Sequence, residues 1–484
     1  MQTTNESNPL LETLLSAIEP NESARGDARC HLAALLEAQE QGNTAVEVDA
    51  ETAARLGEQE WVGEGNAMPS APTPVVLQNG LLQFHIYWLA EQRIIQGLAP
   101  RVKKVDAKGT LSDAFVAQAN AQALDSEKLE QIAASLKQSL VLLTGGPGTG
   151  KTTTLAWLLA ALLQQDSDLT IALAAPTGKA AQRMKEALAN SLSNLPLGDE
   201  QKRHLQSLTP HTLHRLLGIG RTPQPRHSAD NPLTFDLVVV DEASMVDVLT
   251  LSKLVQALKP GSRLILMGDP NQLASVEAGN VLADLVTRFP RAHRNLTRSH
   301  RFNKTIGQLA DAVLKGEGGK AWALLKDENQ SVVSQLPLNA GQFLQSAETG
   351  YAGYLDATRN FAPGDVQQTA QQAKALLSEL AKFRVLSPLR QHSRWGVAAL
   401  NLFMIKRFQQ KGLAALANDL FVGQPVLIQE NDYHVELFNG DQGVILPLNG
   451  LPVAWFEEGD DVRPVPVSQL PRWETAFAMT VHKA

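Results

Sequence analysis

Four short, almost wholly apolar runs punctuate the middle of the chain: Leu140–Leu143, Leu169–Ala174, Leu237–Val240 and Leu264–Met267. Strands of that kind are buried on both faces. Alternating with longer segments of helical spacing, they predict a parallel α/β sheet over residues 126–290. Upstream, Leu14, Leu15 and Ile18, then Leu32, Leu35 and Leu36, keep a helical spacing over 12–40. Residues 63–74 are rich in Gly, Pro, Ser and Ala and read as a loop. Val75 to Leu98 then predicts a strand followed by a helix, and a boundary is expected within 100–125. Residues 291–410 return to mixed α/β character, with helices near 305–326 and 366–382. The pattern changes again over 415–475. Short strand-like runs (425–429, 444–446, 453–456, 462–467) are divided by turn signals such as Asn439-Gly440 and Asn449-Gly450. A small β-barrel inserted between α/β segments is expected there.

Composition narrows the class. Of 484 residues, 44% are hydrophobic and 19% charged, enough for several folded cores. The longest purely apolar run, Leu155–Leu163, has nine residues against the roughly 20 needed to cross a bilayer. No positively charged start leads into an apolar stretch, so a secretory signal is not expected. One cysteine, Cys30, excludes an internal disulfide framework and multi-cysteine metal sites. A soluble, multidomain, cytoplasmic protein is the expectation.

The net charge of −7 is unevenly spread. Residues 1–100 hold 4 Arg, no Lys and 14 acids, a net of −10, while the remainder carries +3. Phosphate backbones are bound by Lys and Arg, so the first hundred residues make a poor nucleic-acid surface. They suit a protein-docking surface or a solvated acidic face.

The chemistry begins at Gly145-Gly146-Pro147-Gly148-Thr149-Gly150-Lys151-Thr152, which fits G-x-x-x-x-G-K-[ST] between a strand and a helix starting at Thr153. Glycines let backbone N–H groups curl around phosphate, Lys151 would reach the β- and γ-phosphates of ATP, and Thr152 would ligate Mg²⁺. Val238-Val239-Val240-Asp241-Glu242 ends a second strand in paired carboxylates. Asp241 would hold the Mg²⁺ and Glu242 would deprotonate the attacking water, although adjacent acids could instead cap a helix. In Gly268-Asp269-Pro270-Asn271-Gln272, the Gln272 amide could sense the γ-phosphate or simply belong to a polar turn.

Taken in order, these segments resemble the motifs of superfamily 1 helicases. Ala175-Pro176-Thr177-Gly178-Lys179 and Thr212-Leu213-His214-Arg215 look like the DNA-contacting motifs Ia and Ib, and Asp241-Glu242-Ala243-Ser244 like motif II. Gly268–Val276 looks like motif III, Ser299-His300-Arg301-Phe302 like motif IV, and Ala478-Met479-Thr480-Val481-His482-Lys483 like the start of motif V. The pattern is most similar to the RecD family, the α subunits of exodeoxyribonuclease V (RecBCD), from about residue 10 onward. The resemblance implies an N-terminal mainly helical docking domain (1–115), a first RecA-like domain (126–290) and a second (291–414). An SH3-like β-barrel insert (415–475) and a return to the second RecA-like domain (476–484) complete the expected order. It also implies an ATP-driven, 5′→3′ motor on single-stranded DNA, partnered by RecB and RecC and acting in double-strand-break repair. Arg301 would be an arginine finger, or an ordinary interdomain ion pair. Thr177, Lys179, Thr212, His214, Thr480 and His482 would contact DNA, with a buried core role equally open for His214. Gly145 to Thr153 would hold the nucleotide.

Three departures qualify that resemblance. The sequence ends before the arginine-bearing motif VI, so a truncated chain that binds nucleotide with little turnover is the alternative expectation. The connection from Leu285 to motif IV is shorter than in close relatives. No residue clearly matches the family's adenine-contacting Gln; Gln131 is nearby but displaced by about one helical turn. A nucleoside triphosphatase acting on RNA is a further alternative, because backbone contacts do not reveal the sugar.

Overall fold

The computed structural model describes residues 9–18, 25–65, 73–102, 110–220, 224–273, 275, 277–298, 304–327, 329–336, 339–391, 393–417, 419–432, 434–458 and 461–481. Two compact units divide the chain, residues 1–302 and 303–484.

In the first unit, helices α1 (Pro9–Ile18), α2 (Arg25–Glu40), α3 (Ala50–Gly57) and α4 (His85–Leu98) accompany four short strands. These are β1 (Ala45–Glu47), β2 (Val62–Glu64), β3 (Val75–Gln78) and β4 (Leu81–Phe84), in the order β1-β4-β3-β2. The segment 75–98 is therefore a hairpin before a helix: Asn79 and Gly80, both at positive φ, close it as a two-residue turn. The expected mainly helical start carries a small sheet as well.

Helices α5 (Asp113–Ala121) and α6 (Ser126–Ser135) lead into a six-stranded sheet. Its strands are β5 (Leu140–Gly145), β6 (Ile171–Ala175), β7 (His211–Thr212), β8 (Leu237–Val240), β9 (Arg263–Gly268) and β10 (His293–Leu296). Every pairing is parallel and the order is β10-β5-β9-β8-β6-β7. The connecting helices are α7 (Lys151–Gln165), α8 (Gly178–Ser191), α9 (Asp199–Ser207), α10 (Leu213–Leu217), α11 (Val248–Ala257) and α12 (Val281–Arg288). The sheet extends past residue 290, the limit expected from sequence. The polar strand His-Arg-Asn-Leu at 293–296 carries little of the apolar signal that marks the other strands.

Side-chain alternation splits this sheet between two cores. Leu140, Leu142, Val238, Val240, Leu264 and Leu266 join one core with α11, α12 and the N-terminal residues Leu15, Leu32, Leu35, Tyr87 and Ile94. Val141, Leu143, Leu237, Val239, Ile265 and Met267 join the other with α7, α8 and Phe115. The N-terminal segment is thus a layer on one face of the sheet within the same unit. Helix α4 meets α11 closely enough that a Cβ on Gly97 would stand 2.2 Å from Val255 Cγ1. The Arg101 guanidinium ties the two by donating to the Gly97 and Lys259 carbonyls at 2.6 and 3.1 Å.

The second unit holds α13 (Lys304–Leu314), α14 (Gly318–Lys326), α15 (Ala340–Gly350), α16 (Ala352–Arg359), α17 (Val366–Ala381) and α18 (Val397–Gln410). Strand β11 (Val385–Ser387) pairs in parallel with β17 (Ala478–Thr480). The buried Asn401 amide pins β17 by donating to the Ala478 carbonyl and accepting from its N–H. Between them lies an antiparallel sheet of β12 (Gln424–Ile428), β13 (Gln442–Leu448), β14 (Leu451–Glu458), β15 (Asp461–Pro466) and β16 (Trp473–Thr475), ordered β15-β14-β13-β12-β16. Asn449 and Gly450, at φ 52° and 80°, form the tight β13–β14 turn that the Asn-Gly pair predicts. Among the described residues no ladder joins β15 to β16, so the pairings define a five-stranded sheet, without the closure of the expected barrel.

Candidate functional site

Parallel strands present their carboxyl ends along one edge, where open α/β sheets bind ligands. Strand order places the singled-out segments along it: Gly145 ends β5, Gly268 ends β9, Asp241 follows β8, Thr177 follows β6 and Thr212 ends β7. Four strand spacings separate the β5 end from the β7 end, roughly 20 Å.

The loop between β5 and α7 is shaped by its glycines. Gly148 and Gly150 sit at φ 74° and 84°, the left-handed region that glycine enters without penalty. A Cβ at Gly145 would stand 2.9 Å from the Leu296 carbonyl oxygen, so glycine is also required where β10 presses on the loop. The buried Thr149 hydroxyl donates to the Gly146 carbonyl at 2.9 Å. Lys151 begins α7, and its ammonium donates to the Gly145 and Gly146 carbonyls at 2.7 and 3.3 Å. This folds the lysine across the loop. Thr152 and Thr153 occupy the next two positions of that first turn, where helix N–H groups are unpaired.

Asp241 is anchored through its N–H, which donates to the Ala174 carbonyl. Its carboxylate accepts from the Glu242 N–H at 2.9 Å. Burial, and then the neighbouring charge of Glu242, push the Asp241 carboxyl up to about 6, with Lys151 pulling the other way. Glu242 stands at φ 50°, a left-handed conformation uncommon outside glycine. Its side chain makes no capping bond to the 3₁₀ turn that follows it, Ala243–Met245, so its carboxylate does not cap that turn. The Thr152 hydroxyl and the Asp241 carboxylate are hard oxygen donors that suit a divalent ion completed by phosphate and water. No cluster of three or more His, Cys, Asp or Glu that could hold a metal alone is present among the described residues.

Beside this, buried Asp269 accepts from the Asn271 N–H at 3.0 Å, and its carbonyl accepts from the Gln272 N–H at 3.1 Å. The Gln272 side chain is exposed on that turn. At the far end, Thr177 and Thr212 cap α8 and α10, their hydroxyls accepting from the Ala180 and Arg215 N–H groups. His214 is exposed, which removes a core role for it, and Lys179 is half-buried. Thr480 lies in β17 of the second unit. Arg301 and His482 lie outside the described residues.

Sequence reasoning passed over Lys128. Buried on α6 one turn before Gln131, it lines a cavity of about 420 Å³ beside the start of α7. A lysine just ahead of an apolar helical face carries no motif, so only the fold reveals its place.

A parallel sheet with a glycine-cradled lysine loop and a half-buried carboxylate pair on its carboxyl edge defines a P-loop NTPase. Consistently, residues 128–278 match the AAA domain family. RecBCD enzyme subunit RecD of Mycolicibacterium smegmatis is 35% identical over 440 residues, covering 88% of this chain and 75% of that protein. The corresponding subunit of Haemophilus influenzae is 34% identical over 467 residues, covering 85% and 71%. The ATP-dependent RecD2 DNA helicase of Deinococcus radiodurans is 30% identical over 71% of this chain and 41% of its own length. Among solved structures, paired Pif1 helicases at forked duplex DNA superpose with a TM-score of only 0.38 at 18% identity, over 74% of this chain and 83% of theirs. The chain belongs to the RecD family.

Proposed function

We propose that this chain is an ATP-dependent DNA helicase subunit of a RecBCD-type complex, moving 5′→3′ on single-stranded DNA during double-strand-break repair in the cytoplasm. One observation carries the reading. A single sheet edge holds the lysine loop and carboxylate pair at one end and the Thr177 and Thr212 turns, with exposed His214, at the other.

In this reading Lys151 binds the β- and γ-phosphates of ATP, and the Gly145–Gly150 amides with Thr153 cradle the remainder. Thr152 and Asp241 hold Mg²⁺, which when bound neutralises phosphate charge. Glu242 takes the proton of the attacking water, and Gln272 senses the γ-phosphate. Arg301 stabilises charge that builds on the transferred group. Thr177, Lys179, Thr212, His214, Thr480 and His482 hold the DNA backbone, Thr177 and Thr212 while capping their helices. The acidic N-terminal layer receives RecC, with RecB completing the assembly.

The test is ATP hydrolysis by the chain with RecB and RecC partners, with and without single-stranded DNA. DNA-stimulated hydrolysis is expected, lost on Lys151→Ala. Hydrolysis indifferent to DNA, or stimulated by RNA alone, overturns the helicase reading. Tight nucleotide binding with no turnover in either condition points instead to a nucleotide-binding subunit.

A further inference from the structure

Lys128 is 9% exposed. Its Nζ lies 2.8 Å from where a Cβ on Gly150 would stand, so the ammonium rests against the left-handed glycine that precedes Lys151. It makes no hydrogen bond or ion pair with any described residue. Asp125, whose carboxyl its charge helps hold down, has both oxygens bonded to Arg298 at 3.1 Å. The ammonium lines the cavity beside the first turn of α7, where a ligand seated there would meet its three donors.

The cavity beside it indicates what that ligand is. Gln122, Asp125, Lys128, Thr153, Trp157 and Asn194 are among the residues lining about 420 Å³, within the range of small-ligand sites. Thr153 is in the first turn of α7, two residues past Lys151. Phosphates held at that helix start would leave their nucleoside beside it. Two side-chain amides and the Trp157 ring suit a planar heteroaromatic base.

Resting on the P-loop as a nucleotide site, we propose that Lys128 reads the base and removes any preference for a 6-aminopurine, so that GTP and ITP bind at least as tightly as ATP. The reason is donor chemistry. An ammonium has three donors and no acceptor. A 6-oxopurine offers it two adjacent acceptors, N7 and O6, whereas adenine sets an amino donor beside N7.

Calorimetric titration of the full chain with the Mg²⁺ complexes of ATP, GTP, ITP and inorganic triphosphate tests this. The wild-type chain is expected to bind GTP and ITP within about threefold of ATP, or more tightly. Lys128→Gln should weaken both about tenfold, the scale of a charged hydrogen bond, while leaving inorganic triphosphate unchanged. A wild-type preference of more than about threefold for ATP overturns the proposal, and that comparison needs no variant. So does parallel weakening of inorganic triphosphate by Lys128→Gln, which would make the lysine a phosphate ligand. Lys151→Ala separates the two levels. If it leaves all binding intact, the nucleotide-site reading fails. If it abolishes binding while Lys128→Gln changes nothing, only the base reading fails.

Discussion

The two faces of the six-stranded sheet are built from alternate residues of the same strands, yet they carry different burdens. Leu143 and Met267 point toward α7, the helix whose first turn carries Lys151. Leu142 and Leu266 point toward α11, α12 and the acidic N-terminal layer. The first face must hold a loop in a fixed shape for chemistry. The second fuses a segment that resembles a separate docking module onto the back of the same sheet. The acidic layer and the nucleotide loop are therefore carried by one and the same sheet. The two faces should nonetheless respond to different substitutions in different observables.

The largest separation is expected from Glu242→Gln. Losing a positioned base costs typically 10²–10⁴ in rate, and Glu242 makes no capping bond that folding would miss. Turnover should fall by that factor, while nucleotide affinity and thermal midpoint stay near wild type. A variant that hydrolyses normally would remove Glu242 from the chemistry. On the other face, Gly97→Val drives a side chain into Val255. Overpacking of this kind costs about 1–3 kcal/mol, so the melting midpoint should drop by several degrees with nucleotide affinity unchanged. Val255→Ala should restore part of the loss. If affinity falls with the midpoint, the faces are coupled and the comparison breaks.

Much of the nucleotide face was legible in advance because its signals are local. Gly148, Gly150 and Lys151 follow the apolar run Leu140–Leu143 of a fully buried strand, and glycine spacing dictates the turn. The Asn449-Gly450 hairpin was equally readable, since its φ values admit few other residues. What escaped is non-local. His293–Leu296 joins the sheet because Leu142, Leu143, Thr144 and Gly145 offer it an edge, and nothing in His-Arg-Asn-Leu announces that. The N-terminal layer reads as a separate module by charge, whereas Leu15, Leu32 and Ile94 show its attachment only once the sheet is assembled. Lys128 was invisible for the same reason: its meaning lies in Gly150, 22 positions away.

The far end of the edge sharpens the comparison on a smaller scale. Thr212→Val removes the acceptor for the Arg215 N–H and should cost about 1 kcal/mol. Thr212→Ser should restore stability. If Thr212 also meets DNA, the serine variant restores affinity for single-stranded DNA too, measured by fluorescence anisotropy. Loss of affinity in the serine variant with affinity retained in the valine variant would tie DNA binding to the methyl group, against a hydroxyl contact.

The smallest expected effect is a pH dependence confined to the back face. Glu91 on α4 is half-buried and accepts from the Thr44 hydroxyl at 2.7 Å. Burial is the main force raising its carboxyl above the ordinary value. The Asp284 charge adds to it, and the Thr44 and Gln83 bonds oppose it. A raised acid keeps its proton longer in the folded state than in the unfolded one. Its stabilising contribution is therefore complete below the unfolded value of about 4.5 and is lost as pH rises through the folded value. Glu91→Gln keeps an amide oxygen for Thr44 and removes the charge. Its melting midpoint should match wild type near pH 4 and exceed it by a degree or two near pH 7. Nucleotide affinity should be unaltered at both. A midpoint difference that is constant with pH, or that reverses sign, would show that burial of Glu91 is not what raises its carboxyl.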